Sequence, residues 1–157
     1  MRRFVAATLA FAAVVAIGCA KTETKSVDSS AAAATPPPPP ALTAADFAGT
    51  WTVTSKNEAG DSVLVTSEMV ASADTSAWKI ILPNRPPQAS RIVAMGGDSV
   101  VTEAGPYESV LRKGVKVWTH SVMHLQNGML KGTTVAHYSV KTADSVRTLM
   151  TEGVKKP

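Results

Sequence analysis

Apolar and polar positions divide the chain into three stretches. Residues 4–17 are an uncharged run rich in Ala, Val, Phe and Leu; residues 20–45 are polar, then Ala-rich, then hold five consecutive prolines at 36–40; from Phe47 onward apolar and polar residues alternate. A period of two sends successive side chains to opposite faces, so the third stretch predicts half-buried β-strands rather than helices. Its wealth of Val, Ile, Thr, Trp and Tyr agrees, because branched and aromatic side chains pack well on a pleated surface.

Strands are predicted over residues 50–56, 62–71, 77–82, 89–95, 99–103, 107–112, 115–126, 129–140 and 146–152. Turn chemistry falls between them: Ala59-Gly60-Asp61, residues 83–87 with three prolines, Gly96-Gly97-Asp98, Lys113-Gly114, Asn127-Gly128 and residues 141–144. Asn127-Gly128 is the strongest of these, since a type I′ hairpin needs positive φ at both central residues. Short strands joined by hairpin-length turns give an all-β, antiparallel up-and-down meander. With eight or nine strands, such a meander removes its exposed edges by closing into a small barrel. A β-sandwich is the alternative.

The first two stretches concern address. Arg2 and Arg3 precede the apolar run and Gly18-Cys19 follow it, which is the layout of a signal peptide. As a helix the run spans roughly 21 Å, short of the ~30 Å hydrocarbon core, so a permanent transmembrane helix is not expected. Cys19 is the only cysteine, and in an exported chain it has no intramolecular disulfide partner. Ala16-Ile17-Gly18-Cys19 resembles the bacterial lipobox, with Ala16 where Leu is usual. That resemblance implies cleavage before Cys19, a diacylglyceryl thioether on its sulfur and acylation of the new amine. Two or three acyl chains hold firmly, each buried CH₂ contributing about 0.8 kcal/mol. Ala20 stands where, in that family, Asp signals inner-membrane retention, so the implied location is the outer membrane, facing the periplasm or the surface.

The expected organisation is therefore a signal peptide over 1–18, a lipidated Cys19 with an Ala/Pro-rich tether over 19–45, and one β-domain over 46–157. The tether lacks the apolar residues to bury a core, and its proline run favours a stiff polyproline II segment of about 15 Å. The formal charge of +4 includes Arg2 and Arg3, so the processed chain carries about +2. No basic run with interleaved aromatics appears, which argues against nucleic acid as a partner; Lys155-Lys156 reads as a solvated end.

Phe47-Ala48-Gly49-Thr50-Trp51, at the start of the first strand, resembles the Gly-x-Trp opening of lipocalin-like (calycin) barrels. The resemblance implies that Trp51 plugs the closed end of a barrel, with Gly49 permitting close approach. It also implies a basic residue from the last strand over that indole. Arg147 is the only arginine predicted there, at the strand's beginning, where antiparallel pairing sets it far from Trp51.

One constellation bears on binding. A two-residue turn at Asn127-Gly128 places Gln126 opposite Met129, His120 opposite Val135 and Trp118 opposite His137, and paired residues share a face. Carrying the register through Lys113-Gly114 sets Tyr107 beside His120 and Ser109 beside Trp118. Tyr107, Trp118, His120, His124 and His137 then lie on one side, and Tyr107, Trp118, His120 and His137 become the candidate ligand contacts. Zinc needs three or four ligands, and this arrangement offers two histidines with no carboxylate or thiolate beside them, so no metal is expected. The opposite face, with Val117, Ser121, Thr134 and Ala136 among others, is either a packed interior or a cavity kept open by small side chains. A one-residue slip would exchange the faces.

Catalytic patterns are missing: there is no Gly-x-Ser-x-Gly elbow, phosphate-binding Gly loop, zinc-helix motif or dinucleotide fingerprint. Glu103 and Glu108 flank Gly105-Pro106 and read as solvated loop acids rather than a catalytic pair. No cofactor is called for. The expectation is a lipid-anchored envelope lipoprotein whose β-domain binds a small apolar ligand or envelope component without chemistry. A structural or protein-interaction module is the alternative, followed by a histidine-based metal-binding protein or enzyme.

Overall fold

The structure, a computed structural model, describes residues 40–157. The expected signal peptide over 1–18, Cys19 and the part of the expected tether through residue 39 lie outside the described residues. Eight antiparallel strands follow in chain order: β1 (Gly49–Lys56), β2 (Val63–Ala71), β3 (Lys79–Ile81), β4 (Gln88–Gly96), β5 (Ser99–Glu108), β6 (Lys116–Gln126), β7 (Met129–Tyr138) and β8 (Val146–Lys155). Each pairs with the next, and β8 returns to β1 with Val53 opposite Gly153, which closes the sheet on itself. The chain is thus an all-β, up-and-down meander in a small lipocalin-like barrel, and one continuous ladder rules out the sandwich.

Alternation decides what faces in. Along β1, Trp51 and Val53 are buried while Thr50, Thr52 and Thr54 stay partly exposed. The Asn127-Gly128 turn has φ of 52° and 74°, and the β6–β7 register is the predicted one, Gln126 opposite Met129 and Trp118 opposite His137. A Cβ on Gly132 of β7 would lie 1.9 Å from the Val122 carbonyl oxygen, so only glycine lets the two strands approach there.

One end is filled. Phe47, Trp51, Trp78, Val100 and Leu130 are fully buried there, joined by Met69 and Met123. The Trp51 indole N–H donates to the Phe47 carbonyl at 2.8 Å and that of Trp78 to the Ser72 carbonyl at 2.7 Å, so neither aromatic buries an unpaired donor. Burying a side chain of this size contributes about 5 kcal/mol as an upper bound. A one-turn helix, α1 (Ala44–Phe47), caps this end. Its Asp46 carboxylate accepts from the Thr43 N–H at 2.7 Å and the Thr43 hydroxyl at 2.8 Å, and these bonds hold the carboxyl below its usual range. Leu42 packs on the same cluster and donates its N–H to the Gly97 carbonyl at 2.8 Å.

Trp51 sits opposite Lys155 of β8, whose ammonium lies 5.5 Å from the indole centroid. The basic residue over Trp51 is therefore Lys155, not Arg147, which pairs with Ala136. The last strand runs three residues past its predicted limit at 152, and that extension carries Lys155, still exposed to solvent, over the ring. Gly49 has φ 135°, and a Cβ there would meet the Lys155 side chain at 2.5 Å, so the glycine makes room for the lysine stem.

The predicted strands over 99–103 and 107–112 are one strand, β5, interrupted by an irregularity between Ala104 and Tyr107. Residues 109–115 form a loop rather than the end of a strand and a two-residue turn. The Ser109 hydroxyl accepts from the N–H groups of Leu111 at 3.0 Å and Arg112 at 3.1 Å, which gives that loop its own internal hydrogen bonds. The strand predicted over 77–82 is cut to Lys79–Ile81, because Thr75–Ala77 turn in a short 3-10 helix whose Ser76 N–H is capped by Asp74 at 2.9 Å.

Candidate functional site

The open half of the barrel holds a cavity of about 100 Å³. Val53, Ile80, Leu82 and Leu149 supply apolar wall, while Ser55, Ser67, Thr102, Thr119, Ser121, Thr134 and Thr151 supply hydroxyls. The cavity exists because small residues recur on the inward pleat of β6 and β7: where the filled end has Met123 and Leu130, this half has Ser121, Thr134 and Ala136. Eight-stranded barrels have an interior just wide enough to be filled by side chains or to hold one small ligand. Here small side chains leave the interior partly open.

No acidic, basic or histidine side chain lines the cavity. Its polar groups are neutral, and three of them are bonded to one another: Ser121 Oγ and Thr134 Oγ1 are 2.9 Å apart, and the Thr151 hydroxyl donates to Thr134 Oγ1 at 2.9 Å. Every buried side-chain polar atom among the described residues has a hydrogen-bond partner. Tyr107 and Tyr138 stand toward the mouth. Burial pushes the Tyr107 phenol above its usual value, against a hydrogen bond with Thr119, so this group remains a neutral O–H.

Loops cover the mouth. Val110 and Leu111 line the cavity from the 109–115 loop. Arg112 places its guanidinium 4.1 Å from the centre of the Tyr138 ring and pairs with Asp144 at 2.7 Å, linking that loop to the β7–β8 connection. Arg85, from the β3–β4 connection, pairs with Glu108 at 2.9 Å and raises its own pKa while lowering that of Glu108. These pairs are exposed, so water and salt screen them and they hold the loops only weakly.

The predicted site residues divide between two faces. Trp118, His120, His124 and His137 share the barrel exterior, as the β6–β7 register requires, because their neighbours Val117, Thr119, Ser121 and Met123 point inward. Tyr107 is not with them. It pairs with Val117 rather than His120, and it lines the interior; Ser109, expected beside Trp118, also lines the cavity. The seven-residue loop after Glu108 and the irregularity in β5 shift the pairing by three residues, and an odd shift reverses the face.

On the exterior, Trp118 is 40% exposed and stacks on His137 with centroids 4.0 Å apart and planes 5° from parallel. Val146, opposite His137, extends the exposed apolar row. His120 Nδ1 lies 3.3 Å from Glu103, which also takes Arg91 at 2.6 Å, and His124 Nδ1 lies 2.9 Å from Asp98. Each histidine thus has a separate neighbour, and among the described residues no three His, Cys, Asp or Glu side chains converge on a point. Glu103 and Glu108 are committed to different ion pairs and do not meet.

Sequence reasoning offered this face of β6 and β7 as either a packed interior or a cavity, and missed the contributions of β1, β2 and β8, such as Ser55, Ser67 and Thr151. Their one signal is a hydroxyl at an inward position of an alternating strand, which looks the same as an outward one until the barrel is closed. No family model matches the chain, and no similar protein was found among curated sequences or solved structures.

Proposed function

We propose that this chain is a lipid-anchored protein of the bacterial cell envelope whose barrel holds a small, uncharged, largely apolar molecule without transforming it. The observation that carries the binding half is the cavity of about 100 Å³ in the open half of the barrel, walled in part by Val, Ile and Leu side chains and free of carboxylate, histidine and basic side chains. Engineered apolar cavities of roughly 150 Å³ admit benzene, so this smaller one suits a molecule no larger than benzene. The anchoring half is supported by Arg2, Arg3, the apolar run and Cys19 as sole cysteine.

Titration with cyclopentane, followed through the methyl resonances of Ile80, Val117 and Leu149, tests the binding half. Those signals are expected to move in the wild type and to stay fixed in Ala136→Leu, where the larger side chain fills the space. Unmoved wild-type signals reject the reading. Mass spectrometry of the membrane fraction tests the anchor: the mature chain is expected to begin at an acylated Cys19, and a soluble chain retaining residues 1–18 rejects it.

The exposed Trp118–His137 stack beside Val146 favours a second reading, an interaction surface for another envelope protein. A photo-crosslinking amino acid at position 118 is expected to give one discrete adduct in cells, and no adduct argues against that surface.

A further inference from the structure

Ser121, Thr134 and Thr151 come from three consecutive strands and meet on one wall of the cavity. Thr134 is opposite Ser121, and Thr151 reaches it diagonally from its place opposite Gly132, where no side chain intervenes. The three oxygens make two contacts, Ser121 to Thr134 and Thr151 to Thr134, each 2.9 Å. Each hydroxyl carries one proton. Three protons therefore serve two hydrogen bonds, and no other hydrogen bond among the described residues involves these side chains. Whichever way the chain of donors runs, one O–H is left without an acceptor, and all three side chains line the cavity.

A hydroxyl proton left without an acceptor away from bulk water is costly, and buried donors are left unsatisfied less often than buried acceptors. We propose that this spare proton is the recognition element of the cavity, and that the ligand is a compact neutral molecule with one acceptor oxygen, a ketone, aldehyde or ether, on an apolar body. The inference rests on the cavity being a binding site and adds the chemistry of what it selects. Carboxylates and ammonium groups are disfavoured, since a charge would be buried with no counter-charge on the wall. A pure hydrocarbon fits the space but leaves the proton idle.

The test compares two probes of nearly equal shape, cyclopentanone and methylenecyclopentane, titrated into the full-length chain. The ketone is expected to bind about tenfold more tightly, the effect of one net hydrogen bond to a donor otherwise unpaired. In the triple variant Ser121→Ala, Thr134→Val, Thr151→Val the ratio is expected to fall to about one, by loss of ketone affinity with the alkene unchanged. The carbonyl stretch of bound ketone provides a readout that needs no variant: it is expected at lower wavenumber than in hexane. Equal wild-type affinities, an unshifted carbonyl, or a ratio that survives the triple substitution each overturns the assignment while leaving the cavity as an apolar site. Failure of both probes to bind the wild type overturns the binding reading itself.

Discussion

The two ends of this barrel are built from the same alternating strands and hold together by different means. At the filled end, Phe47, Trp51, Trp78 and Leu130 occupy the interior, and both indole N–H groups are paired. At the open end, hydroxyls and small apolar side chains stop short of filling it, and the cover is made of loops joined by exposed ion pairs. Packing stabilises in proportion to buried apolar area, whereas exposed pairs contribute little and lose strength with salt. The barrel thus concentrates stability at one end and leaves the other loosely filled.

The largest blow to this contrast comes from the filled end. Trp51→Ala is expected to cost about 3–5 kcal/mol in urea unfolding, since it opens a void where Phe47 and Lys155 now pack. Gly132→Ala is expected to cost about 1–3 kcal/mol, because its Cβ cannot occupy a point 1.9 Å from a carbonyl oxygen without displacing a strand. That loss should be accompanied by altered amide exchange along β6 and β7.

Smaller effects belong to the mouth. Arg112→Ala removes the contact over Tyr138 and the pair with Asp144, and is expected to lower global stability by only about 1 kcal/mol. Hydrogen exchange in residues 109–115 and 139–145 should nevertheless rise severalfold, with no change at Trp51. Acid is expected to act in the same direction and more weakly. Glu108 is held below its usual pKa by Arg85 and the Gly114 N–H, and Asp144 by Thr142 and Arg112. Groups lowered on folding stabilise fully above their ordinary carboxylate values, and that contribution is lost as the pH falls through the lowered ones. Protection of the mouth amides, taken relative to their intrinsic exchange rate, should therefore fall below about pH 4 before that of the filled end. Asp46 is also lowered, by its bonds from Thr43, but its helix sits on buried Phe47. Simultaneous opening of both ends would erase the contrast.

The site was legible in the sequence only where the chain is locally self-sufficient. Asn127-Gly128 takes positive φ at both residues, and that turn alone fixed Trp118 opposite His137 and gathered Ser121, Thr134 and Ala136 on the other face. Tyr107 was misplaced because Lys113-Gly114 has the composition of a turn but lies within a longer loop tied by Ser109. One odd shift was enough to carry Tyr107 from the exterior group to the cavity. The pairing of Ser121, Thr134 and Thr151 was out of reach, since Thr151 meets Thr134 only through the β7–β8 register, after the seven-residue connection 139–145.

By itself, the sequence determined the all-β meander, the position of most turns and the character of each face of β6 and β7, because strand alternation and turn φ preferences act over a few residues. Only the tertiary structure decided that the sheet closes, that Lys155 rather than Arg147 covers Trp51, and that hydroxyls from separate strands gather around one small space. Those outcomes depend on how far each strand has slipped past its neighbour around the whole barrel, a sum that no single segment contains.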